Sequence, residues 1–222
     1  MGELYIVSTP IGNLDDITLR ALKTLKEVQY IAAEDTRKTK ILLTRHDINT
    51  QMLSYHSHSS DSKTQKIIDL LVEGANVALV SDAGTPGISD PAYGLIQSAI
   101  EKGIRITPIP GASSLLAALV MSGLPTDKFV YLGFLPLKKG RQTLLKSLQD
   151  ETRTMVIFES PHRIVRTLGN LLEYFGDRQI AVCREITKIY EEARRCKISE
   201  AIAHFQKTKP KGEFVLVVSA ND

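Results

Sequence analysis

Short apolar runs alternate with helix-like segments along the whole chain, and this alternation constrains the fold more than any other feature. Runs such as Leu4–Ser8 and Val77–Ser81 have the length and composition of buried strands. Segments such as Ile17–Val28 place apolar residues three and four positions apart, as an amphipathic helix does. Alternation of this kind predicts an α/β fold with largely parallel sheets.

Length and composition exclude several classes of protein. The 222 residues allow one large domain or two small ones, and the 43% hydrophobic and 24% charged residues are ordinary for a globular chain. No apolar run approaches the roughly 20 residues that span a bilayer, and the N-terminus does not resemble a secretion signal. The two cysteines form neither a disulfide framework nor a zinc pattern. We therefore expect a cytoplasmic globular protein without a metal site.

Charge is distributed unevenly between the two halves of the chain. Residues 1–120 carry a net charge of −2, whereas residues 121–222 carry +5. The turn-forming sequence at 122–127 lies where the sign changes, and it predicts an N-terminal α/β domain at 1–122 and a basic C-terminal α/β domain at 123–222. A basic half favours a polyanionic partner, because neutralising phosphates releases condensed counterions. A solvated basic face is the alternative.

Four segments rich in Gly, Pro, Ser, Thr and Asp follow predicted strands. They cover residues 8–14, 81–91, 108–114 and 159–163. Each one alone could serve only as a turn or helix cap. Together they predict a ligand-binding edge, because ligands of α/β sheets collect at the carboxyl ends of strands. The sequence contains no phosphate loop and no dinucleotide fingerprint, which favours a small uncharged or zwitterionic ligand.

Several blocks of this sequence are similar to a known family. SDAGTPGISDP (81–91), PGASS (110–114), ESPHR (159–163) and GEFVLVV (212–218) resemble the tetrapyrrole-methylase-type, or class III, methyltransferases that use S-adenosyl-L-methionine (SAM). YIVSTPIGNLDDIT (5–18), AEDTRKT (33–39) and GFLP…R (133–141) resemble the branch of that family that modifies ribosomal RNA.

The resemblance implies two α/β domains with SAM in the cleft between them, the tetrapyrrole-methylase-like fold, and usually a homodimer. It also implies methylation of the ribose 2′-hydroxyl of a cytidine in small-subunit (16S) rRNA. The cofactor contacts that it implies are Pro10, Asp82, Gly84, Thr85, Ile88, Ala112 and Ser113 in the first domain and Phe158, Pro161 and Arg184 in the second.

Transfer of a methyl group to oxygen depends mainly on alignment, and a general base that removes the hydroxyl proton would assist it. The leading candidates for that base are Glu34, Asp35 and His162, and the others are Glu159 and Glu185. Glu34 and Asp35 directly follow a short apolar strand, Tyr30–Ala33. Asp35 could instead cap a helix over 36–44, and His162 could instead be a structural histidine.

Basic and imidazole side chains near the predicted ligand edge are candidates for contact with RNA. They are Arg37, Lys38, His56, His58, Lys138, Lys139, Arg141 and Arg163. Contacts to phosphate would set affinity and register without specifying a base.

Two other functions remain compatible with the sequence. The chain could methylate a tetrapyrrole or another small anionic acceptor, or it could bind SAM and dock on the ribosome without catalysis. Turnover of the cofactor, as opposed to binding alone, would distinguish the last of these.

Overall fold

The computed structural model describes residues 1–56 and 61–221, which divide after Ser113 into two compact units. The predicted boundary between 122 and 123 differs from this division by one helix. That helix, α5 (Ser114–Ser122), packs on strands of the second unit and therefore belongs with it. None of the described helices is long and apolar enough to cross a membrane.

The first unit is a five-stranded parallel sheet with helices on both faces. Its strands lie in the order β3-β2-β4-β1-β5, and every neighbouring pair is parallel. The strands are β1 (Glu3–Val7), β2 (Tyr30–Ala33), β3 (Gln51–Ser54), β4 (Val77–Val80) and β5 (Arg105–Ile109). The helices are α1 (Leu19–Glu27), α2 (Thr36–Arg45), α3 (Asp61–Val72) and α4 (Tyr93–Glu101).

Alternating side chains of the central strands divide the core of this unit into two layers. Val80 belongs to the layer that includes apolar residues of α1 and α2, whereas Leu79 belongs to the layer that includes those of α3 and α4. Both layers are built mainly from fully or almost fully buried aliphatic side chains. The sequences of the central strands are therefore continuous apolar runs, as is typical of parallel sheets covered on both faces.

The winding of the first sheet reverses between β2 and β4. From β2 the chain continues outward to β3, whereas from the adjacent β4 it continues in the opposite direction to β5. The segments that leave the carboxyl ends of these two strands therefore diverge. In open α/β sheets, ligands bind in the crevice at such a reversal.

The second unit is a mixed sheet in the order β6-β7-β10-β8-β9. Its strands are β6 (Phe129–Phe134), β7 (Thr154–Glu159), β8 (Gln179–Arg184), β9 (Glu192–Lys197) and β10 (Phe214–Val218). Besides α5, its helices are α6 (Arg141–Ser147), α7 (Ile164–Phe175) and α8 (Ile198–Lys207). Apolar residues of α6, α7 and α8 form one buried cluster with the sheet, and α5 contacts β8, β9 and β10.

The predicted α/β class is confirmed, but the prediction of largely parallel sheets is wrong for the second unit. There only β6 and β7 are parallel, and the other three pairings are antiparallel. The segment 185–191 between β8 and β9 is too short for the crossover of a dozen or more residues that a parallel pair requires. β3 was not predicted from the sequence, and its residues are only partly buried or exposed.

Candidate functional site

The loops that follow β1 and β4 are joined by backbone hydrogen bonds. The amide of Thr9 donates to the carbonyl of Gly84 at 2.9 Å, and the amide of Gly84 donates back to the carbonyl of Thr9 at 3.0 Å. Gly84 has a φ of +79°, a backbone conformation that residues other than glycine rarely adopt. The glycine therefore permits the turn that brings the 81–91 segment against the 8–14 segment.

Further contacts of the 81–91 segment position other predicted residues. The Ser8 and Thr85 hydroxyls are hydrogen-bonded at 2.8 Å, and a Cβ on Gly111 would lie 2.9 Å from that of Ser8. The loops after β1, β4 and β5 thus approach one another closely through backbone and small side chains. Of the other predicted cofactor contacts in this unit, Pro10 is buried, Ala112 and Ser113 are partly buried, and Ile88 is exposed.

Glu34 and Asp82, at the ends of β2 and β4, connect the two strands across the reversal in winding. The amide of Asp82 donates to Glu34 Oε2 at 3.3 Å, and the amide of Asp35 donates to Asp82 Oδ1 at 3.0 Å. Lys38 Nζ lies 2.7 Å from Asp82 Oδ2. These bonds occupy the Asp82 carboxylate, so its observed role is to fix the segment after β2.

Glu34 is the predicted base whose surroundings suit proton transfer. Its side chain is partly buried and lines a small pocket with Tyr55, Ser81 and Asp90. Burial raises the pKa of Glu34; the hydrogen bond from the Asp82 amide opposes this shift, while the negative charges of Asp82 and Asp90 add to it. A raised carboxyl pKa makes the ionised form a stronger base.

Asp35 caps α2, which was the alternative role predicted for it from the sequence. Its carboxylate accepts from the Arg37 amide at 2.9 Å as the N-cap of α2, and the Arg37 guanidinium donates to both carboxylate oxygens at 3.1 and 2.8 Å. These hydrogen bonds hold the pKa of Asp35 well below its usual range. A carboxylate stabilised in this way is a poor proton acceptor.

A pocket of about 60 Å³ lies beside these residues, next to α2. It is lined by Thr9, Pro10, Leu14, Lys38, Thr39, Leu42, Ser81 and Asp82. Ser8 and Thr9 were not among the residues predicted for the site, although both begin a segment predicted to be a ligand loop. Their position directly after β1 is the signal that could have found them.

In the second unit, Phe158 belongs to a small group of aromatic side chains at the end of β6 and β7. Its ring packs edge-on against Tyr131 and Phe134, with centroids 5.1 and 5.7 Å apart. Phe134 is 52% exposed and Phe158 is partly buried. This group offers a partly accessible aromatic surface.

The remaining predicted residues at this edge differ in accessibility. Arg184 forms an ion pair with Glu192 at 3.3 Å, and its Nε has no hydrogen-bond partner among the described residues. Pro161 is partly buried. His162 is exposed rather than turned into the protein.

The structure contradicts the prediction that Arg141 contacts RNA. Its side chain is only 4% exposed, and the guanidinium donates to Pro136 O, Asn170 Oδ1 and Thr167 Oγ1 at 2.8–3.1 Å. A buried guanidinium whose three nitrogens all donate hydrogen bonds within the protein is not available to a phosphate. The positive charge of Arg141 made it a candidate for RNA contact, but the sequence does not show that its side chain is buried.

The other predicted RNA contacts are accessible to different degrees. Lys138 and Lys139 are exposed, as are Arg37 and Lys38, which carry ion pairs to Asp35 and Asp82. Arg163 is mostly buried and paired with Glu159, and His56 is partly buried with Lys63 Nζ 3.4 Å from its ring. His58 lies outside the described residues. Within the described ranges, no three His, Cys, Asp or Glu side chains gather as a metal site would require.

The fold and these loops define a class of protein that comparison with known families identifies. The model of the family "Tetrapyrrole (Corrin/Porphyrin) Methylases" matches residues 3–202, and the chain belongs to that family. Among curated proteins, a relative from Thermotoga maritima is 50% identical over 222 residues, which is the full length of both chains. Its name is ribosomal RNA small subunit methyltransferase I.

Relatives from Halalkalibacterium halodurans and Synechocystis sp. have the same name. They are 50% and 51% identical over 99% of this chain, which corresponds to 76% and 79% of their own lengths. This level of identity over the whole chain places it close to one branch of the family.

Several solved structures with the same fold are much more distant in sequence. Diphthine synthase matches with a TM-score of 0.75 at 16% identity, over 99% of this chain and 90% of that one. Uroporphyrin-III C-methyltransferase from Thermus thermophilus, complexed with S-adenosyl homocysteine, matches with a TM-score of 0.68 at 18% identity, over 98% and 97% of the two chains. Such likeness confirms the predicted tetrapyrrole-methylase-like fold.

Proposed function

We propose that this protein transfers a methyl group from SAM to the ribose 2′-hydroxyl of a cytidine in small-subunit (16S) rRNA. The observation that carries the proposal is the 50% identity, over the full length of both chains, to a protein named ribosomal RNA small subunit methyltransferase I. We also propose a cytoplasmic location, because ribosomal subunits are found in the cytoplasm.

The loops of the first unit suit SAM because they offer backbone groups, hydroxyls and close approach. Gly84 and Gly87 have positive φ values, and Gly111 leaves no room for a side chain against Ser8. We assign cofactor binding to the 81–91 segment through Gly84, Thr85 and Ile88, and to Pro10, Ala112 and Ser113. In the second unit we assign it to Phe158, Pro161 and Arg184. Asp82 contributes indirectly, because its carboxylate holds the segment that follows β2.

The bound cofactor supplies a methyl group on a positively charged sulfur, which is already activated toward a nucleophile. The protein therefore needs chiefly to align the acceptor hydroxyl and to accept its proton. We assign the proton to the Glu34 carboxylate, because burial raises its pKa and Asp82 fixes its position beside the ligand loops. Asp35 orders α2, and His162 is too exposed to be the preferred base.

Exposed basic side chains in both units would contact the phosphates of the RNA. We assign this contact to Arg37 and Lys38 after β2 and to Lys138 and Lys139 after β6. The net charge of +5 over residues 121–222 favours approach of a polyanion. We also propose that the protein is a homodimer, for which light scattering of the purified protein is the direct test.

Methyl transfer with labelled SAM tests the proposed function. The protein is incubated with methyl-labelled SAM and small subunits purified from cells that lack the corresponding gene, and the RNA is digested to nucleosides. We expect the label in 2′-O-methylcytidine. Small subunits that already carry the modification provide the matched control and should accept no label.

Two other results would contradict the proposal in different ways. Label in a tetrapyrrole acceptor but not in RNA would favour the chemistry named for the distant structural neighbours. Binding of SAM by calorimetry without transfer to any acceptor would favour a binding module that docks on the ribosome. Naked 16S rRNA in place of subunits then identifies what the protein recognises.

A further inference from the structure

A buried polar network in the second unit connects the ends of β6 and β7 with α7. It contains Arg141, Glu159 and Thr167, whose exposed fractions are 4%, 2% and 0%. Buried charges are costly unless they are paired and hydrogen-bonded. A buried network whose members are hydrogen-bonded holds the backbone around it in one arrangement.

Arg141 contributes three hydrogen bonds to the network. Its Nη1 donates to the carbonyl of Pro136 at 3.1 Å, its Nε to Asn170 Oδ1 at 2.9 Å, and its Nη2 to Thr167 Oγ1 at 2.8 Å. Burial lowers the pKa of Arg141, and the positive charge of Arg163 adds to this shift. Each guanidinium nitrogen thus has an acceptor within the protein.

Arg163 holds the neighbouring carbonyl. Its Nη2 donates to Leu135 O at 2.5 Å, and its Nε lies 3.2 Å from Glu159 Oε1. Glu159 Oε2 in turn accepts a hydrogen bond from the Thr167 hydroxyl, which links this arginine to Arg141. Two connected guanidinium groups therefore fix the carbonyls of two consecutive residues at the end of β6.

The segment that follows those carbonyls is a tight turn that displays two lysines. Gly140 has a φ of +82°, and the amide of Arg141 donates to Lys138 O at 3.3 Å. Lys138 and Lys139 are exposed, and across residues 1–56 and 61–221 neither ammonium lies within ion-pair distance of a carboxylate. Displayed lysines on a fixed turn suit contact with phosphate.

We propose that Arg141 is a positioning residue for RNA: with Arg163 it fixes the carbonyls of Leu135 and Pro136, so that Lys138 and Lys139 meet two phosphates at a set place. This inference rests on the proposed function for the identity of the polyanion. A turn that is already ordered loses little conformational entropy on binding, and its charges reach the RNA in one arrangement.

Binding to small subunits at several salt concentrations tests the two lysines. K138A/K139A should reduce the slope of log K against log salt by about 2, because each phosphate contact contributes about 1. K146A/K207A is the matched control, since it also removes two exposed lysines of the second unit, and its slope should stay closer to that of the wild type. Equal reductions in both variants would overturn the assignment to the turn.

A double-mutant cycle tests whether Arg141 acts through those lysines. N170A removes the acceptor of Arg141 Nε, and R141K keeps the charge but loses the forked geometry. Either variant should raise KM for subunits several-fold, with kcat and the Kd for SAM unchanged. In the K138A/K139A background the same substitution should add nothing.

Several outcomes would overturn the proposal. They are full additivity in the cycle, an unchanged KM in both N170A and R141K, or a loss of SAM affinity parallel to the rise in KM. Thermal melting identifies any variant that is not folded, and N170A serves where R141K is unstable. The binding assay needs no methyl transfer, so a wild type that binds with the expected slope but transfers nothing would refute the proposed function alone.

Discussion

The backbone amide of Asp82 donates a hydrogen bond to the Glu34 carboxylate at 3.3 Å, across the point where the first sheet reverses its winding. The partner bond runs from the amide of Asp35 to Asp82 Oδ1 at 3.0 Å. Two adjacent strand ends are thus tied by carboxylates that each hold the backbone of the other strand. The carboxylate of Glu34, the candidate base, is therefore held in a fixed position relative to the 81–91 segment.

Replacing Glu34 by Gln should slow methyl transfer while leaving the loops intact. Gln keeps an oxygen that can accept from the Asp82 amide, but it cannot take the hydroxyl proton. We expect the rate to fall about 10²–10⁴-fold, the contribution typical of a general base, with little change in the Kd for SAM. Single-turnover transfer and calorimetry measure the two quantities. Full activity in E34Q would show that Glu34 is not the base.

The same substitution should have a pH-dependent effect on stability. The folded pKa of Glu34 is raised, so the wild type loses stability as pH rises from the ordinary carboxyl pKa through the folded value. E34Q lacks this loss. Its melting temperature relative to the wild type should therefore be higher near pH 8 than near pH 4. A difference that is independent of pH would contradict the raised pKa.

Replacing Asp35 by Asn should have the opposite dependence on pH. The folded pKa of Asp35 is lowered, so the carboxylate stabilises the protein above its ordinary pKa, and this contribution disappears as pH falls toward the folded value. Asn also caps helices, so D35N removes mainly the charge and the contact with Arg37. D35N should be less stable than the wild type at pH 7, and the two melting curves should converge in acid.

Replacing Gly84 by Ala, with a second glycine as control, distinguishes the cost of backbone strain from the contribution of the 81–91 segment to SAM binding. A Cβ on Gly84 would meet Ile11 Cγ2 at an ordinary 3.7 Å, so the cost arises from its φ of +79°. Left-handed backbone costs a non-glycine residue about 1–2 kcal/mol. G103A, with a φ of +68° and open space around it, is the control. Urea unfolding should give similar losses for both, whereas SAM affinity should fall only in G84A.

The two cysteines offer a test of packing in the second unit. Burial raises the pKa of Cys183 to about 11, and its Sγ lies 3.8 Å from Ala118 O under α5. In the variant C196A, the remaining thiol should not react with a disulfide reagent at pH 8 until the protein is unfolded by denaturant. Rapid reaction in the native state would show that α5 does not cover β8 as described.

The sequence predicted the parallel sheet well because its strands are buried on both faces. β4 is apolar at every position, and the helices around it carry clear apolar periodicity. β3 was missed because its four residues, QMLS, are exposed or only partly buried and show no such pattern. The second sheet is mostly antiparallel but was predicted to be largely parallel, since alternation of strands and helices does not distinguish the direction of pairing.

The loops of the candidate site could be predicted from the sequence, but the roles of individual residues within them could not. Sequence placed Glu34 and Asp35 side by side, and only the contacts distinguish a half-buried carboxylate from a helix cap. Likewise, the positive charge of Arg141 suggested an RNA contact, whereas its guanidinium donates hydrogen bonds to Pro136 O and Thr167 Oγ1 within the protein. Burial and partner choice depend on tertiary packing, which spacing along the chain does not encode.

The reversal between β2 and β4 has a consequence for how such proteins diversify. The helices that follow these strands, α2 and α4, pack on opposite faces of the sheet. Glu34, Asp35 and Lys38 are tied to Asp82, but beyond Lys38 the chain after β2 can lengthen or change its chemistry during evolution while the 81–91 segment stays as it is. Homologous enzymes can acquire new acceptors without rebuilding the part of the fold that holds their common reagent.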